Sequence, residues 1–240
     1  MVAVILAGGT GTRLKPFTAT IPKPLLPLGE TPILEVVIRQ LAAAGIERIV
    51  VALGYMPHLF AASIGDGSRW GVHIDYCIEE QPLGTAGPLR LAKNLGEQFL
   101  VMNGDLLTTL DYRKLIAAHI DRRAFGTIAV SKRQVRIDYG VIVSGSGGLL
   151  KEYQEKPTID YAVSMGINVL SREALAFIPA AGKFDMPDLM LAMQRAGKPV
   201  LCYDTDCYWQ DIGRMDDYQR ASEDFERDPA RFLPDMKAKS

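Results

Sequence analysis

The sequence predicts an α/β fold built on a doubly wound, mostly parallel sheet, and three observations carry that prediction. Apolar runs alternate with helical-period segments through residues 1–105 in the order βαβαβαβ, as when parallel strands are joined by crossover helices. The runs at 2–7 and 49–53 are rich in β-branched residues, and the first has no charge at all, as expected for strands buried on both faces. Finally, Gly8, Glu80 and Asp105 fall just past the ends of such runs. That edge is where open α/β sheets bind ligands.

The elements follow in order. The strand at 2–7 stops at Gly8-Gly9-Thr10-Gly11-Thr12-Arg13, and Pro16, Pro22, Pro24 and Pro27 keep the next segment extended. Thr31-Pro32 opens a helix over 33–44, with Ile33, Val36, Val37 and Leu41 at helical spacing and Gly45 as its stop. A strand at 49–53, a helix at 57–64 that starts on a proline, a turn at 65–68 and a strand at 72–78 come next. The glycine-bearing loop 80–87 is expected to run into a helix over 88–94 whose free N–H groups face the loop. A strand at 99–103 ends at Gly104-Asp105.

The second half is more mixed. Helices are expected at 111–122, 173–177, 187–196 and 215–225, and strands at 126–132, 139–143, 149–153, 163–170 and 200–203. Residues 145–148 read as a hairpin turn between apolar strands, 208–213 as a loop, and 237–240 as a fraying tail. No repeat, low-complexity tract or domain linker interrupts the chain.

Composition excludes several classes. The chain has 240 residues, 48% hydrophobic and 23% charged, with 27 basic against 28 acidic residues. A net charge of −1 gives no reason to expect nucleic acid or an anionic membrane as partner. Cys77, Cys202 and Cys207 lack paired-motif spacing and read as reduced thiols of a cytoplasmic protein, a Cys202–Cys207 disulfide being the disfavoured alternative. His58, His73 and His119 are scattered, so neither a zinc site nor a histidine triad is indicated. The N-terminal apolar run is too short for a signal or spanning segment.

The chemistry concentrates in the first thirty residues. Three glycines within four positions, at 8, 9 and 11, let the backbone approach a ligand and turn successive N–H groups into an anion-binding nest. Arg13, Lys15 and Lys23 add three cations. The dinucleotide fingerprint is excluded because Leu14 stands where its third glycine belongs, and the P-loop because its lysine spacing is missing. Asp105 and Asp211 each sit at a glycine-flanked turn after an apolar stretch, suitable for holding Mg²⁺.

The stretch GGTGTRLKPFT…PKPLLP closely resembles the signature of sugar-1-phosphate nucleotidylyltransferases. Further segments match through nearly the whole chain: Pro82-Leu83-Gly84-Thr85-Ala86-Gly87, Asn103-Gly104-Asp105, Tyr139-Gly140-Val141, Glu155-Lys156-Pro157 and Trp209-Gln210-Asp211-Ile212-Gly213. The resemblance implies a Rossmann-like mixed sheet of the nucleotide-diphospho-sugar transferase type. It implies one catalytic domain over 1–240, with a nucleotide-binding half at 1–110 and a sugar-phosphate half at 111–240. Leu6, Ala7, Gly8, Gly9, Thr10, Gly11, Thr12, Glu80, Pro82, Gly84 and Thr85 are the implied nucleotide contacts. Asn103, Gly140, Glu155, Lys156, Gly166 and Trp209 are the implied sugar-phosphate contacts. Where many members read NAGIYVL, this chain has Ser164-Met165-Gly166-Ile167-Asn168-Val169-Leu170. Ser164 and Asn168 thus replace an asparagine and a tyrosine, which leaves the sugar open.

Such an enzyme joins two anions, so it must neutralise repulsion and hold them in line; it needs no nucleophile of its own. Arg13 is expected to clamp the β- and γ-phosphates, Lys23 to sit between the two phosphates, and Asp105 and Asp211 to hold Mg²⁺. Lys156 is expected on the sugar phosphate and Glu155 on a sugar hydroxyl. Lys15 and Arg214 read as solvated and His119 as structural. The loop from Glu80 to Leu89 and the run YWQDIGRM most resemble short bacterial mannose-1-phosphate and heptose-1-phosphate guanylyltransferases, which ranks GTP first, with Glu80 or a loop carbonyl as the acceptor for guanine. UTP or dTTP with glucose 1-phosphate or an amino-sugar 1-phosphate is the alternative. A non-catalytic nucleotide-binding regulator and a glycosyltransferase are others, the latter disfavoured because its Asp-x-Asp metal cluster is missing. The end of the chain soon after the catalytic unit leaves no place for an appended acyltransferase or left-handed β-helix. A homodimer is compatible with the sequence, which does not specify the assembly.

Overall fold

A computed structural model describes residues 1–234; the tail expected to fray, 237–240, lies outside the described residues. In chain order its strands are β1 (Val2–Ala7), β2 (Pro27–Leu28), β3 (Thr31–Pro32), β4 (Arg48–Leu53), β5 (His73–Ile78), β6 (Gln98–Asn103), β7 (Leu106–Thr108), β8 (Gly126–Arg136), β9 (Gly140–Ser144), β10 (Leu150–Glu155), β11 (Thr158–Ser171), β12 (Val200–Thr205) and β13 (Trp209–Asp211). The helices are α1 (Ile33–Ala43), α2 (Pro57–Ile64), α3 (Tyr112–Asp121), α4 (Met186–Arg195), α5 (Met215–Arg227) and α6 (Pro229–Phe232).

Seven strands form one mixed sheet in the order β12-β8-β11-β6-β1-β4-β5. β1 pairs in parallel with both β4 and β6, and β4 with β5. β11 runs antiparallel to β6 and to β8, while β12 is parallel to β8. The doubly wound reading therefore holds, with a single antiparallel strand at the junction of the two halves.

Alternation along the buried strands explains the layers. Ala3, Ile5, Ile49 and Val51 pack with Leu34, Val37 and Leu41 of α1, Phe60 of α2 and Leu115 of α3 on one face. Val4, Val50, Phe99 and Val101 face the other way, onto Leu189, Met190 and Met193 of α4. A third cluster joins Leu14, Leu26 and Leu28 to Ile212 and to Phe225 and Phe232 of α5 and α6. It ties the N-terminal arm to the C-terminal helices.

Several expectations are corrected. The helix over 88–94 is only a 3₁₀ turn, Gly87–Arg90; Asn94 takes a left-handed conformation (φ +57°) and Gly96 follows at +77°, so the segment is too short to propagate. The N–H array expected to face the loop is therefore missing. Residues 173–177 likewise lie in a 3₁₀ segment, Arg172–Phe177. β8 and β11 run longer than periodicity suggested, because their outer ends pair with each other from Ser131–Val163 to Arg136–Thr158. The turn at 145–148 forms as expected, with Gly147 and Gly148 at positive φ. All three cysteines are free. His119 is buried, and its Nδ1 lies 2.8 Å from Thr127 Oγ1, a structural pairing. Among the described residues no helix is long and apolar enough to cross a membrane.

Candidate active site

The glycine loop is shaped by close approach. A Cβ on Gly8 would lie 2.5 Å from Oε1 of Glu79, so a side chain there would displace that carboxylate. Gly11 has φ +62°, and a Cβ there would sit 2.9 Å from Cγ2 of Thr18. The buried Thr18 hydroxyl donates to the Gly11 carbonyl at 2.7 Å, locking the arm beneath the loop. Arg13 rides on the 3₁₀ turn Thr12–Leu14, anchored by fully buried Leu14. The arm then returns Lys23 at the turn Lys23–Leu25, held by Pro24 and Leu25 in the interior. There the Lys23 ammonium makes an ion pair with Asp105; the two side chains are 12% and 20% exposed.

Strand register brings the second carboxylate beside the first. Asp105 leads into β7, and β13 pairs antiparallel with β7 so that Asp211 stands opposite Leu106. The Ile212 N–H donates to the Asp105 carbonyl at 3.1 Å. The Asp211 carboxyl is open to the cleft, yet the surrounding protein desolvates it and pushes its pKa up. Asp105 and Asp217 push in the same direction, while Lys23 and Arg13 hold it down. Around Gly213, Asp211 Oδ2 and Arg13 Nη1 come within 3.4 and 3.7 Å of the position a Cβ would take. Two mutually repelling carboxylates between an arginine and a lysine fit Mg²⁺, which takes one or two carboxylates and completes its shell with substrate phosphates. Among the described residues no group of three or more His, Cys, Asp or Glu converges on one point. Most of that shell would therefore come from substrate and water.

Three adjoining cavities meet here. One of about 450 Å³ runs from Gly8 and Gly9 past Glu79, Pro82 and Thr85 to Asp105. A smaller one of about 240 Å³ holds Gly11, Thr12, Arg13, Lys23, Asp105 and Gly213. The third, about 540 Å³, is mostly apolar, lined by Ile128, Met165, Met186, Met190 and Trp209 around Asn103, Gly166, Asn168 and Asp211. Leu6 lines all three. The Trp209 indole N–H donates to the Met165 carbonyl at 3.0 Å, fixing the ring in that wall.

The expected residues divide accordingly. Leu6, the loop from Gly8 to Arg13, Lys23, Glu80, Pro82, Gly84, Thr85, Asn103, Asp105, Gly166, Trp209 and Asp211 all line these cavities, as does Ala7. Gly140, Glu155 and Lys156 do not line them. They sit at the β9–β10 hairpin, where the exposed Lys156 pairs with Glu155 at 3.8 Å and Tyr153 donates to Glu155 at 3.1 Å. Lys15 and Arg214 are exposed.

Sequence reasoning missed three groups. Glu79, not only Glu80, faces the loop; it accepts from the Leu83 N–H at 2.9 Å, and burial pushes its carboxyl up. Lys183 and Asp185 join the nucleotide-side cavity from a hundred residues away. Asp185 accepts from the Thr85 N–H at 3.0 Å, and Thr85 Oγ1 accepts from the Met186 N–H at 2.7 Å. Gly84 (φ +83°) makes this possible, since a Cβ there would lie 2.6 Å from Asp185 Oδ1. A Thr and an Asp in separate loops offer no local signal of such a pairing.

A glycine nest, two cations and two carboxylates between two cavities match known proteins closely. The model of the nucleotidyl transferase family matches residues 2–228. The chain belongs to that family. Among its relatives, the mannose-1-phosphate guanyltransferase of Schizosaccharomyces pombe is 35% identical over 227 residues, 91% of this chain and 62% of that protein. The UTP–glucose-1-phosphate uridylyltransferase of Synechocystis is 32% identical, covering 92% of this chain and 62% of that protein. The chain thus spans under two thirds of the length of these curated relatives. Among solved structures, HddC from Yersinia pseudotuberculosis overlays with a TM-score of 0.71 at 27% identity, covering 93% of this chain and 99% of that one. A further HddC structure is complexed with GMP-PN. The fold is that of the nucleotide-diphospho-sugar transferases.

Proposed function

We propose that this nucleotidyl transferase family member moves a nucleotidyl group from a nucleoside triphosphate to a sugar 1-phosphate, forming an NDP-sugar for cell-surface polysaccharide and releasing pyrophosphate. The observation that carries the reading is the Lys23–Asp105 pair beside Arg13 and Asp211, where the phosphate cavity opens between the other two. The sugar phosphate oxygen attacks the α-phosphorus, the bond to the β-phosphate oxygen breaks, and the electron pair leaves on pyrophosphate. Arg13 faces the leaving group as a fork of donors, and the loop N–H groups share its charge. Lys23 offers a compact charge between the two phosphates, offsetting repulsion at the moment of attack. Asp105 and Asp211 are the residues that would hold Mg²⁺, which supplies charge neutralisation on the transferring phosphoryl group. Trp209 and Asn103 orient the sugar, and Thr85 the nucleoside.

GTP ranks first, supported by the guanylyltransferase names of several relatives and by buried Glu79 beside the loop as an added acceptor for guanine N–H groups. The uridylyltransferase relative keeps UTP, with dTTP, as the second reading. A cytoplasmic location belongs to the same proposal, supported by the free thiols. The test incubates the chain with Mg²⁺, a panel of sugar 1-phosphates and each triphosphate in turn, following pyrophosphate. Turnover with UTP or dTTP well above GTP removes the guanylyl reading alone; no pyrophosphate with any pair removes the reaction itself.

A further inference from the structure

Asn168 stands out among the buried polar side chains. It is 4% exposed, yet its amide has no hydrogen-bond partner among the described residues. Thr18, Thr108, Thr127 and His119, buried alike, each have one. Buried polar groups are almost always partnered, so an exception calls for a function. On β11, opposite Ile128 of β8, Asn168 lines the large apolar cavity on the sugar side. Ile128, Met186 and Met190 surround that part of the cavity, and Leu191, 46% exposed, stands at its margin.

An amide offers a donor and an acceptor side by side, and its neighbours here offer neither. A sugar bearing only hydroxyls would turn several of them against methionine and isoleucine with no partner, which is unfavourable. A group with one N–H, one C=O and a short alkyl end meets the amide and the apolar wall together. We propose that the sugar 1-phosphate carries an acylamino substituent, an acetamido group in the simplest case, read by Asn168 with its methyl against Met186, Met190 and Leu191. This rests on the nucleotidyl-transfer reading above and names its substrate class.

The test measures kcat and KM for pyrophosphate release with glucose, mannose and galactose 1-phosphates. The same is done for their 6-deoxy, 2-amino, 2-acetamido and 4-acetamido counterparts, for wild type and for Asn168→Leu. One acetamido sugar is expected to exceed its hydroxyl parent in kcat/KM by at least about tenfold, since losing a matched polar partner in a buried site discriminates strongly. In Asn168→Leu that ratio falls to within about threefold, the loss carried by KM, while the melting temperature holds or rises. Thermal shift with N-acetylglucosamine 1-phosphate against glucose 1-phosphate reads binding without turnover, and its difference should vanish in the variant. Preference for a hydroxyl or 6-deoxy sugar, or an acetamido preference that survives Asn168→Leu, overturns the inference and leaves the reaction class standing. No turnover with any pair overturns both.

Discussion

Replacing Lys23 with methionine keeps the stem and removes the charge that faces Asp105. The pair is mostly buried, with side chains 12% and 20% exposed. Severing a fully buried pair costs roughly 3–5 kcal/mol and an exposed one about 0–1 kcal/mol, so a value near 2 kcal/mol is expected at this exposure. For a chain of this size that is a loss of roughly 4–8 °C in melting temperature. The variant also leaves Asp105 and Asp211 facing one another with Arg13 as the remaining cation beside them. Millimolar Mg²⁺ should therefore recover much of the lost stability in Lys23→Met, and should do so less in Lys23→Met with Asp211→Asn. Turnover should fall by roughly 10²–10³, the usual effect of losing one preorganised charge contact. Calorimetry with and without Mg²⁺, beside a pyrophosphate assay, reads all three quantities. A melting temperature within 1 °C of wild type and turnover within about threefold would refute the placement of this ammonium.

Arg13→Lys should lower kcat by about 10²-fold and weaken triphosphate binding, because a point charge lacks the bidentate fork; wild-type kinetics would demote Arg13 to a surface charge. Asp211→Asn should cost a similar factor in turnover without loss of melting temperature, since burial and Asp105 already disfavour its charge; a destabilised fold would contradict this. Asp185→Ala should raise KM for the triphosphate by releasing the Thr85 loop, checked by steady-state kinetics. Burial lowers His119 below its usual 6.5, so below that pH the unfolded chain binds more protons than the folded one. Stability is then full above about pH 6.5 and falls as pH drops through it. Urea unfolding at pH 7.0 and 5.5 should show His119→Gln losing less on acidification than wild type.

What was legible in the sequence depended on local patterning. The glycine loop, the proline-stiffened arm and Asp105 follow from residue types within a few positions of one another, and β1, β4 and β6 from their apolar runs. Asp211 was legible as a glycine-flanked carboxylate, but its partner was not, since the β7–β13 register that places it beside Asp105 joins segments a hundred residues apart. Glu79 escaped because it neighbours the more conspicuous Glu80, and which of the two turns inward is decided by contact with Gly8 and Leu83. The helix expected at 88–94 failed because its apolar spacing outweighed Asn94, a residue tolerant of the left-handed conformation that ends the turn. The alternation of 139–155 marked two strands, but nothing local says that they leave the main sheet as a separate hairpin.

The lacing between residues 83–87 and 184–186 has a consequence for selectivity. Phe184 donates to the Leu83 carbonyl and accepts from the N–H groups of Ala86 and Gly87, at 2.9, 2.9 and 3.0 Å. Asp185 stands at the N-cap of α4, yet its side chain serves Thr85 rather than its own helix. Thr85 lines both large cavities, and the helix that begins beside it carries Met186 and Met190 into the apolar one. The loop facing the nucleoside and the wall facing the sugar thus form one hydrogen-bonded body. A shift in either is felt by the other, because packed elements move as units rather than deform continuously. Base choice and sugar choice are therefore coupled in this chain, and a pocket substitution that alters one should be read against both substrates.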